Sequence, residues 1–263
     1  MDFKEEYGNW ALVTGASSGI GEEFARRFAA FGMNLILVAR RKERLEKLSQ
    51  ELSTKYNITV VTAPIDLTTD NFLEDLKKYT SDIEIGILVN NAGIGSNGEF
   101  IDANPDKEAE MVKLNCLAPT LLTHYFVKQM IERRKGAIIF LGSVVGFQPT
   151  PFMATYSATK AFNSFLGYAL WYELKKYNID VLSLNPGGTA TEFQRLAKSN
   201  TGPLPRTVEQ VVITALKALG KKPGVVDGFY NKVLAVSSRF ASRKFVVTAA
   251  GFIAKSLYKK KKK

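Results

Sequence analysis

The residues best suited to moving a proton are Tyr156 and Lys160, which lie in a proline-free stretch, Thr155 to Lys175, that reads as one long helix. At this spacing the two side chains share a helix face, one turn apart. A free phenol titrates near pH ~10, too high for easy proton exchange at neutrality, and a nearby ammonium favours the phenolate. Tyr156 is therefore a candidate general acid and Lys160 its modulator. The apolar run Ala137–Leu141 reads as a buried strand, which puts Ser143 at the strand's carboxyl end, where its hydroxyl could hold a substrate oxygen. Tyr-x-x-x-Lys alone also fits an ordinary amphipathic helix, so its weight depends on the elements around it.

Those elements begin with the strand Trp10–Thr14, which runs into Gly15-Ala16-Ser17-Ser18-Gly19-Ile20-Gly21 and then a helical pattern through Phe24, Phe28 and Phe31. Strand, glycine-rich turn and helix are the setting of a dinucleotide site: glycines let backbone approach a pyrophosphate, and the helix amino terminus offers free N–H groups. The second strand, Asn34–Ala39, ends at Arg40-Arg41. NAD-binding folds usually carry a carboxylate near this point, whereas guanidinium groups suit the 2′-phosphate of NADP. Arg40 is the expected phosphate partner, and Arg41 reads more plausibly as a solvated residue opening the next helix.

A third strand, Ile58–Ala63, leads to Asp66, expected to meet an adenine amine rather than cap the following helix, for which Thr68 and Asp70 lie closer. Ile87–Asn90 forms a fourth strand, followed by Asn91-Ala92-Gly93, and Asn115 lies in a helical pattern where burial would require hydrogen-bond partners. Ile179–Leu184 is a sixth strand leading to Pro186-Gly187-Gly188-Thr189. Residues 190–206 read as a mobile flap, and Thr207–Gln210 as a capping box opening a helix through Leu219. The strand–helix alternation predicts an α/β fold, a single Rossmann-type, doubly wound parallel sheet with helices on both faces and its ligand at the strands' carboxyl ends.

Composition sets the outer bounds. The 263 residues are 46% hydrophobic and 23% charged, which suits one α/β domain. Residues 228–263 carry ten basic and no acidic side chains, so of the net charge of +11 only +1 belongs to the rest. The division expected is a catalytic domain, 1–227, and a basic, partly apolar segment, 228–263. A nearly neutral body argues against nucleic-acid binding. The one cysteine, Cys116, excludes an internal disulfide and favours a reducing compartment. The polar amino terminus reads as no signal peptide, and no apolar run reaches the roughly 18–20 residues of a membrane span, so a cytoplasmic location is expected. In the basic segment, Val233, Phe240 and Val247 cluster on one helical face, widened by Leu234, Ala241 and Phe245. Such a face either lies on an anionic membrane or covers the active-site side of the body. No cluster has metal-ligand spacing, and His124 and Cys116 read as packed residues.

Taken together, Thr14-Gly15-x-x-x-Gly19-x-Gly21, Asn90-Asn91-Ala92-Gly93, Asn115, Ser143, Tyr156-x-x-x-Lys160 and Pro186-Gly187 closely resemble the short-chain dehydrogenase/reductase family in its compact subtype. The resemblance spans about residues 10 to 191. It implies a tetrad of Asn115, Ser143, Tyr156 and Lys160, with Tyr as acid/base, Ser orienting the carbonyl, Lys lowering the phenol's pKa and binding nicotinamide ribose, and Asn holding a relay water. It also implies pyrophosphate contacts from Gly15, Ser17, Ser18 and Ile20, adenine contacts from Asp66 and Leu67, and ribose or carboxamide contacts from Asn91 and Thr189. Gly19, Gly21, Ala92, Gly93, Pro186 and Gly187 complete the implied cofactor surface. Subunit pairing through the helix bearing Phe162, Phe165, Tyr168, Trp171 and Tyr172 is expected, giving a homo-oligomer, a dimer or a tetramer. The run Val225–Lys232 and the basic tail resemble a subgroup of microbial ketone reductases and 3-oxoacyl-CoA and 17β-hydroxysteroid reductases. That implies an NADPH-dependent reductase of a lipophilic carbonyl; a non-catalytic NADP(H) sensor and a membrane-surface adaptor are the alternatives.

Overall fold

The computed structural model describes residues 2–193, 197, 205–238 and 240–259. Seven parallel strands form one sheet: β1 (Trp10–Thr14), β2 (Asn34–Val38), β3 (Val60–Ala63), β4 (Ile85–Asn90), β5 (Gly136–Leu141), β6 (Ile179–Asn185) and β7 (Gly224–Val226). Their order across the sheet is β3-β2-β1-β4-β5-β6-β7. After β3 the chain returns to the centre, so the strand order reverses between β1 and β4. At that point the connections leave in opposite directions and open a crevice.

Both faces of the sheet are covered, and the strands show why. In β1, Ala11 and Val13 join one core while Leu12 joins the other; Leu35 and Leu37 against Ile36 and Val38 repeat the pattern in β2. A side chain on each side of the pleat is apolar, so neither face can meet water. The first core is closed by α2 (Gly19–Ala30) through Phe24 and Phe28, by α3 (Lys42–Tyr56), and by α8 (Val208–Ala218) through Val211 and Val212. The second is closed by α4 (Phe72–Thr80), α6 (Ala118–Arg133) and α7 (Ala154–Leu174), with Phe126, Met130 and Leu174 among the buried contacts. A short α1 (Phe3–Tyr7) and α5 (Pro105–Val112) complete the helices before α7.

The sequence reading of the sheet holds, with corrections in detail. The third strand begins at Val60 rather than Ile58, and the fourth already at Ile85. The edge strand β7 was not anticipated: three residues after Pro223 are too few to show alternation. Neither Thr68 nor Asp70 caps α4, whose first flanking residue is Asn71; Thr68 instead donates from its N–H and hydroxyl to Asp66. The capping box at α8 is present in both halves, Thr207 with Gln210. His124 is exposed on α6, not packed as expected.

Most of the expected flap lies outside the described residues. Its two ends are stitched together, since Thr189 and Arg206 form a parallel bridge, and Ala190 N–H donates to the Arg206 carbonyl at 3.1 Å. Arg206 is fixed in turn by Asp227, a fully buried carboxylate that it meets at 2.9 Å and that also accepts from the Thr214 hydroxyl at 2.7 Å. This anchor should be measurable. Arg206→Met would leave the buried carboxylate with too few donors, and urea denaturation should show a loss of about 2 kcal/mol, the buried-pair cost reduced for the partial exposure of Arg206.

Candidate active site

At the carboxyl end of β5 the chain turns through Val144–Phe147, and Gly146 lets this turn rest directly on α7. A Cβ at Gly146 would come within 2.8 Å of the Ala161 nitrogen and the Lys160 carbonyl carbon. That contact fixes Ser143 against α7, on which Tyr156 and Lys160 share one buried face. Ser143 donates weakly to the Pro186 carbonyl at 3.4 Å and lies beside the phenol of Tyr156. The ammonium of Lys160 donates to the Leu141 carbonyl at 2.9 Å and lies 5.8 Å from the Tyr156 ring centre.

Asn115 is not on a regular helix. It occupies a π-helical turn, Lys113–Leu117, between α5 and α6, where Ala118 N–H reaches back to the Lys113 carbonyl. The inserted residue turns the Asn115 side chain into the protein, fully buried. Its oxygen accepts from Ile94 N–H at 3.0 Å; its amide donates to the Ile94 carbonyl at 2.9 Å and the Thr159 hydroxyl at 3.0 Å. Asn115 thus ties the loop after β4 to α7, and Thr159 is a partner that sequence reasoning missed.

Burial dominates the titration of the central pair. It pushes the Tyr156 phenol above its usual range, with the hydrogen bond from Ser143 pulling the other way. It pulls the Lys160 ammonium down to about 8, opposed by the nearby Cys116. The lowering of the phenol by Lys160 that the resemblance implied is not the leading effect here. Desolvation favours the neutral form of both groups. Cys116 fits its expected passive role, its thiol pushed up to about 11 by burial.

These side chains form one end of a cleft of about 370 Å³ that runs along the sheet's carboxyl edge. Of the expected cofactor residues, Gly15, Ser17, Ser18, Gly19 and Ile20 line its first wall, Arg40, Asp66 and Leu67 its outer end, and Asn91, Ala92 and Gly93 its floor. Pro186, Gly187 and Thr189 close the far side. Gly21 and Asn115 do not line it; both act from behind. The walls suit a dinucleotide. Gly15 has φ of +66° and presents bare backbone where a Cβ would come within 2.7 Å of the Asn91 amide, and Ser18 flanks α2 without capping it, so the helix N–H groups face the cleft.

Arg41, expected to be solvated, is the arginine held against the glycine-rich turn, while Arg40 lines the outer end of the cleft. Arg40 faces outward to Glu110 at 3.3 Å and Asp66 at 3.6 Å. Arg41 turns inward, donating to the Ser17 hydroxyl at 3.0 Å and the Ser18 hydroxyl at 2.7 Å. It also pairs with Glu192, and Phe193 rests on Tyr156 with ring centres 5.6 Å apart. Neither Glu192 nor Phe193 could be singled out from sequence, because their partners are remote along the chain.

Residues 9–202 match the short chain dehydrogenase family, and the chain belongs to it. It is 34% identical over 223 residues to a very-long-chain 3-oxoacyl-CoA reductase of Phaeosphaeria nodorum, covering 82% of this chain but only 65% of that relative. A solved 7β-hydroxysteroid dehydrogenase superposes with a TM-score of 0.88 at 26% identity, covering 95% of this chain and 99% of that one. A short-chain dehydrogenase from Sphingobium yanoikuyae in complex with NADPH gives 0.78 at 36% identity, covering 88% and 90%.

The Lys160 environment makes a pH prediction. In free enzyme the ammonium loses its proton as pH rises through about 8, so kcat/KM should decline along that limb. Lys160→Arg keeps its charge there and should flatten the limb even if its absolute rate is lower. Superimposable alkaline limbs in the two proteins would assign the ionisation to another group.

Proposed function

We propose that the protein is an NADP(H)-dependent oxidoreductase that reduces a carbonyl, or oxidises the matching secondary alcohol, acting on a lipophilic ketone, 3-oxoacyl or steroid-like substrate. The observation that carries the proposal is the convergence of Ser143, Tyr156 and Lys160 at one end of a cleft whose other end bears Arg41, Ser17 and Ser18. When bound, the nicotinamide supplies a hydride to the carbonyl carbon. Tyr156 holds its proton in the buried site and releases it to the carbonyl oxygen as the alcohol forms. Ser143 donates a hydrogen bond to that oxygen, and Lys160 adds positive charge beneath the phenol. Asn115 acts as a positioning residue through Ile94 and Thr159.

The pyrophosphate would lie on Gly15, Ser17, Ser18, Gly19 and Ile20, with Gly21 allowing α2 to pack beneath. Adenine would meet Asp66 and Leu67. The nicotinamide half would meet Asn91, Ala92, Gly93, Lys160, Pro186, Gly187 and Thr189. Support for NADP comes from Ala39, where NAD-binding relatives of this fold carry a carboxylate, and from the Arg40–Arg41 pair. Support for a lipophilic substrate comes from Ile94, Leu114, Met153 and Phe193 on the cleft wall near Tyr156, and from the substrates named for the similar proteins. Phe165 and Tyr172, 71% and 77% exposed on α7, suit a contact between subunits of a homo-oligomer.

The segment after residue 227 favours a second element of the reading. It forms α9 (Phe229–Ser237) and α10 (Arg243–Lys259), and no described helix is long and apolar enough to cross a membrane. Of the residues expected to cover the body, Val233, Phe240 and Phe245 remain 51%, 85% and 66% exposed. Phe229, Val233 and Val236 follow helical spacing on α9 and are exposed, exposed Phe240 follows beyond the helix end, and no acidic residue occurs after 227. An anionic bilayer complements both the apolar stripe and the charge. The proposed setting is therefore cytoplasmic, peripheral to such a surface.

Two experiments test these readings. Tyr156→Phe should lower turnover of a bulky ketone by about 10²- to 10⁴-fold while NADPH binding by fluorescence is kept; near-normal turnover would refute the assignment. In co-sedimentation, the protein should bind anionic but not neutral vesicles, and deletion of Lys259–Lys263 or added salt should weaken binding. Binding to both vesicle types alike, untouched by salt, would remove the electrostatic part.

A further inference from the structure

Each arginine at the carboxyl end of β2 already has a carboxylate. Arg40 faces Asp66 and Glu110. Arg41 and Arg44 share Glu192, whose Oε2 accepts from Arg41 Nη1 at 2.7 Å and Arg44 Nη1 at 2.8 Å, while its Oε1 lies 3.4 Å from Arg44 Nη2. The other edge of the Arg41 guanidinium is spent on the glycine-rich turn, with Nε and Nη2 donating to Ser17 and Nη2 also to Ser18. Glu192 comes from the segment after β6, 151 positions from Arg41, and its side chain is only 20% exposed. It is therefore an anion seated across two guanidinium groups, of which Arg41 lines the cleft beside Ser17 and Ser18 while Arg44 and Glu192 stand behind it.

We infer that Glu192 is an internal competitor for the ribose 2′-phosphate of NADP(H), occupying donors of Arg41 and Arg44 and so setting how strongly the protein distinguishes the phosphorylated cofactor from the unphosphorylated one. The inference rests on the NADP(H) reading above. Carboxylate and phosphate take the same guanidinium N–H groups, and a given N–H cannot satisfy both at full strength. Because the Nε/Nη2 edge of Arg41 is held by two hydroxyls, Nη1 is the contested group. The local charge points the same way. Arg40, Arg41 and Arg44 face Asp66, Glu110 and Glu192, so a phosphate arriving with Glu192 in place meets no net positive charge.

The exchange is one anion for another, not a protonation. Arg44 and Arg41 hold the Glu192 carboxyl down to about 2, so it stays ionised near neutral pH. The consequence is a discrimination weaker than the arginines alone would provide. It also links the phosphate end of the cleft to the catalytic end, because the next residue, Phe193, packs on Tyr156.

The probes that isolate this interaction are 2′,5′-ADP, which carries the phosphate without nicotinamide, and 5′-AMP, which lacks it. Titration calorimetry on wild type and Glu192→Gln compares them, the amide keeping the size of the side chain and removing its charge. Glu192→Gln should bind 2′,5′-ADP about 3- to 10-fold more tightly, as expected for a partly screened ionic contact, and 5′-AMP unchanged. If wild type prefers 2′,5′-ADP and the substitution leaves that preference as it was, the inference falls while the cofactor reading stands. Weaker binding of 2′,5′-ADP by the variant would also overturn it, showing Glu192 as a clamp over bound ligand. If both proteins bind the two probes equally, the NADP(H) reading fails and the inference fails with it.

Discussion

The crevice depends on one buried hydroxyl. Thr14 ends β1 at the point where the strand order reverses, and its Oγ1 donates to the Val89 carbonyl at 3.0 Å while accepting from the N–H groups of Asn91 at 2.9 Å and Ala92 at 3.0 Å. Both lone pairs and the proton are thus used. Asn91 answers from the other side, its amide donating to the Thr14 carbonyl at 2.8 Å and weakly to that of Gly15. The two central strands are held together immediately below the crevice. Without this clamp the Ala92 N–H would lose its partner, at a cost of about 1–3 kcal/mol, while Asn91 N–H would keep the Val89 carbonyl at 3.0 Å.

Above the clamp, the chemistry rests on removing water from an acid and a base together. Burial makes the phenol of Tyr156 hold its proton and makes the ammonium of Lys160 release its own more readily. The two shifts move in opposite directions because each favours a neutral group. A proton donor poised for a carbonyl oxygen benefits from the first shift. The second keeps Lys160 responsive to its surroundings instead of permanently charged. The Leu141 carbonyl accepts from the ammonium, so the strand end itself helps hold it in place.

Much of this was legible in the sequence because it is local. The glycine-rich turn, the capping box at Thr207 and the Tyr156–Lys160 spacing are all encoded within a few residues, where backbone geometry leaves little choice. The strand cores were readable for the same reason, their apolar runs being bounded by turns. What sequence could not show was pairing across the sheet. The inward turn of Arg41, which the sequence reads as a solvated residue, depends on Glu192, far along the chain. The π turn at Lys113–Leu117 was hidden because one extra residue hardly disturbs an apolar helical pattern. The burial of Tyr156 was hidden too, and with it the balance between desolvation and charge.

The stitch between Thr189 and Arg206 has an evolutionary side. Once both ends of a loop are fixed by backbone bonds and by the Arg206–Asp227 pair, the cost of closing it grows only logarithmically, about 0.6 kcal/mol for each doubling of length. Insertions and deletions between those points are therefore cheap, and they leave the glycine-rich turn and Tyr156 in register. A lineage can therefore alter the length of this connection without moving the strand ends it joins, provided Glu192 keeps its place on Arg41 and Arg44.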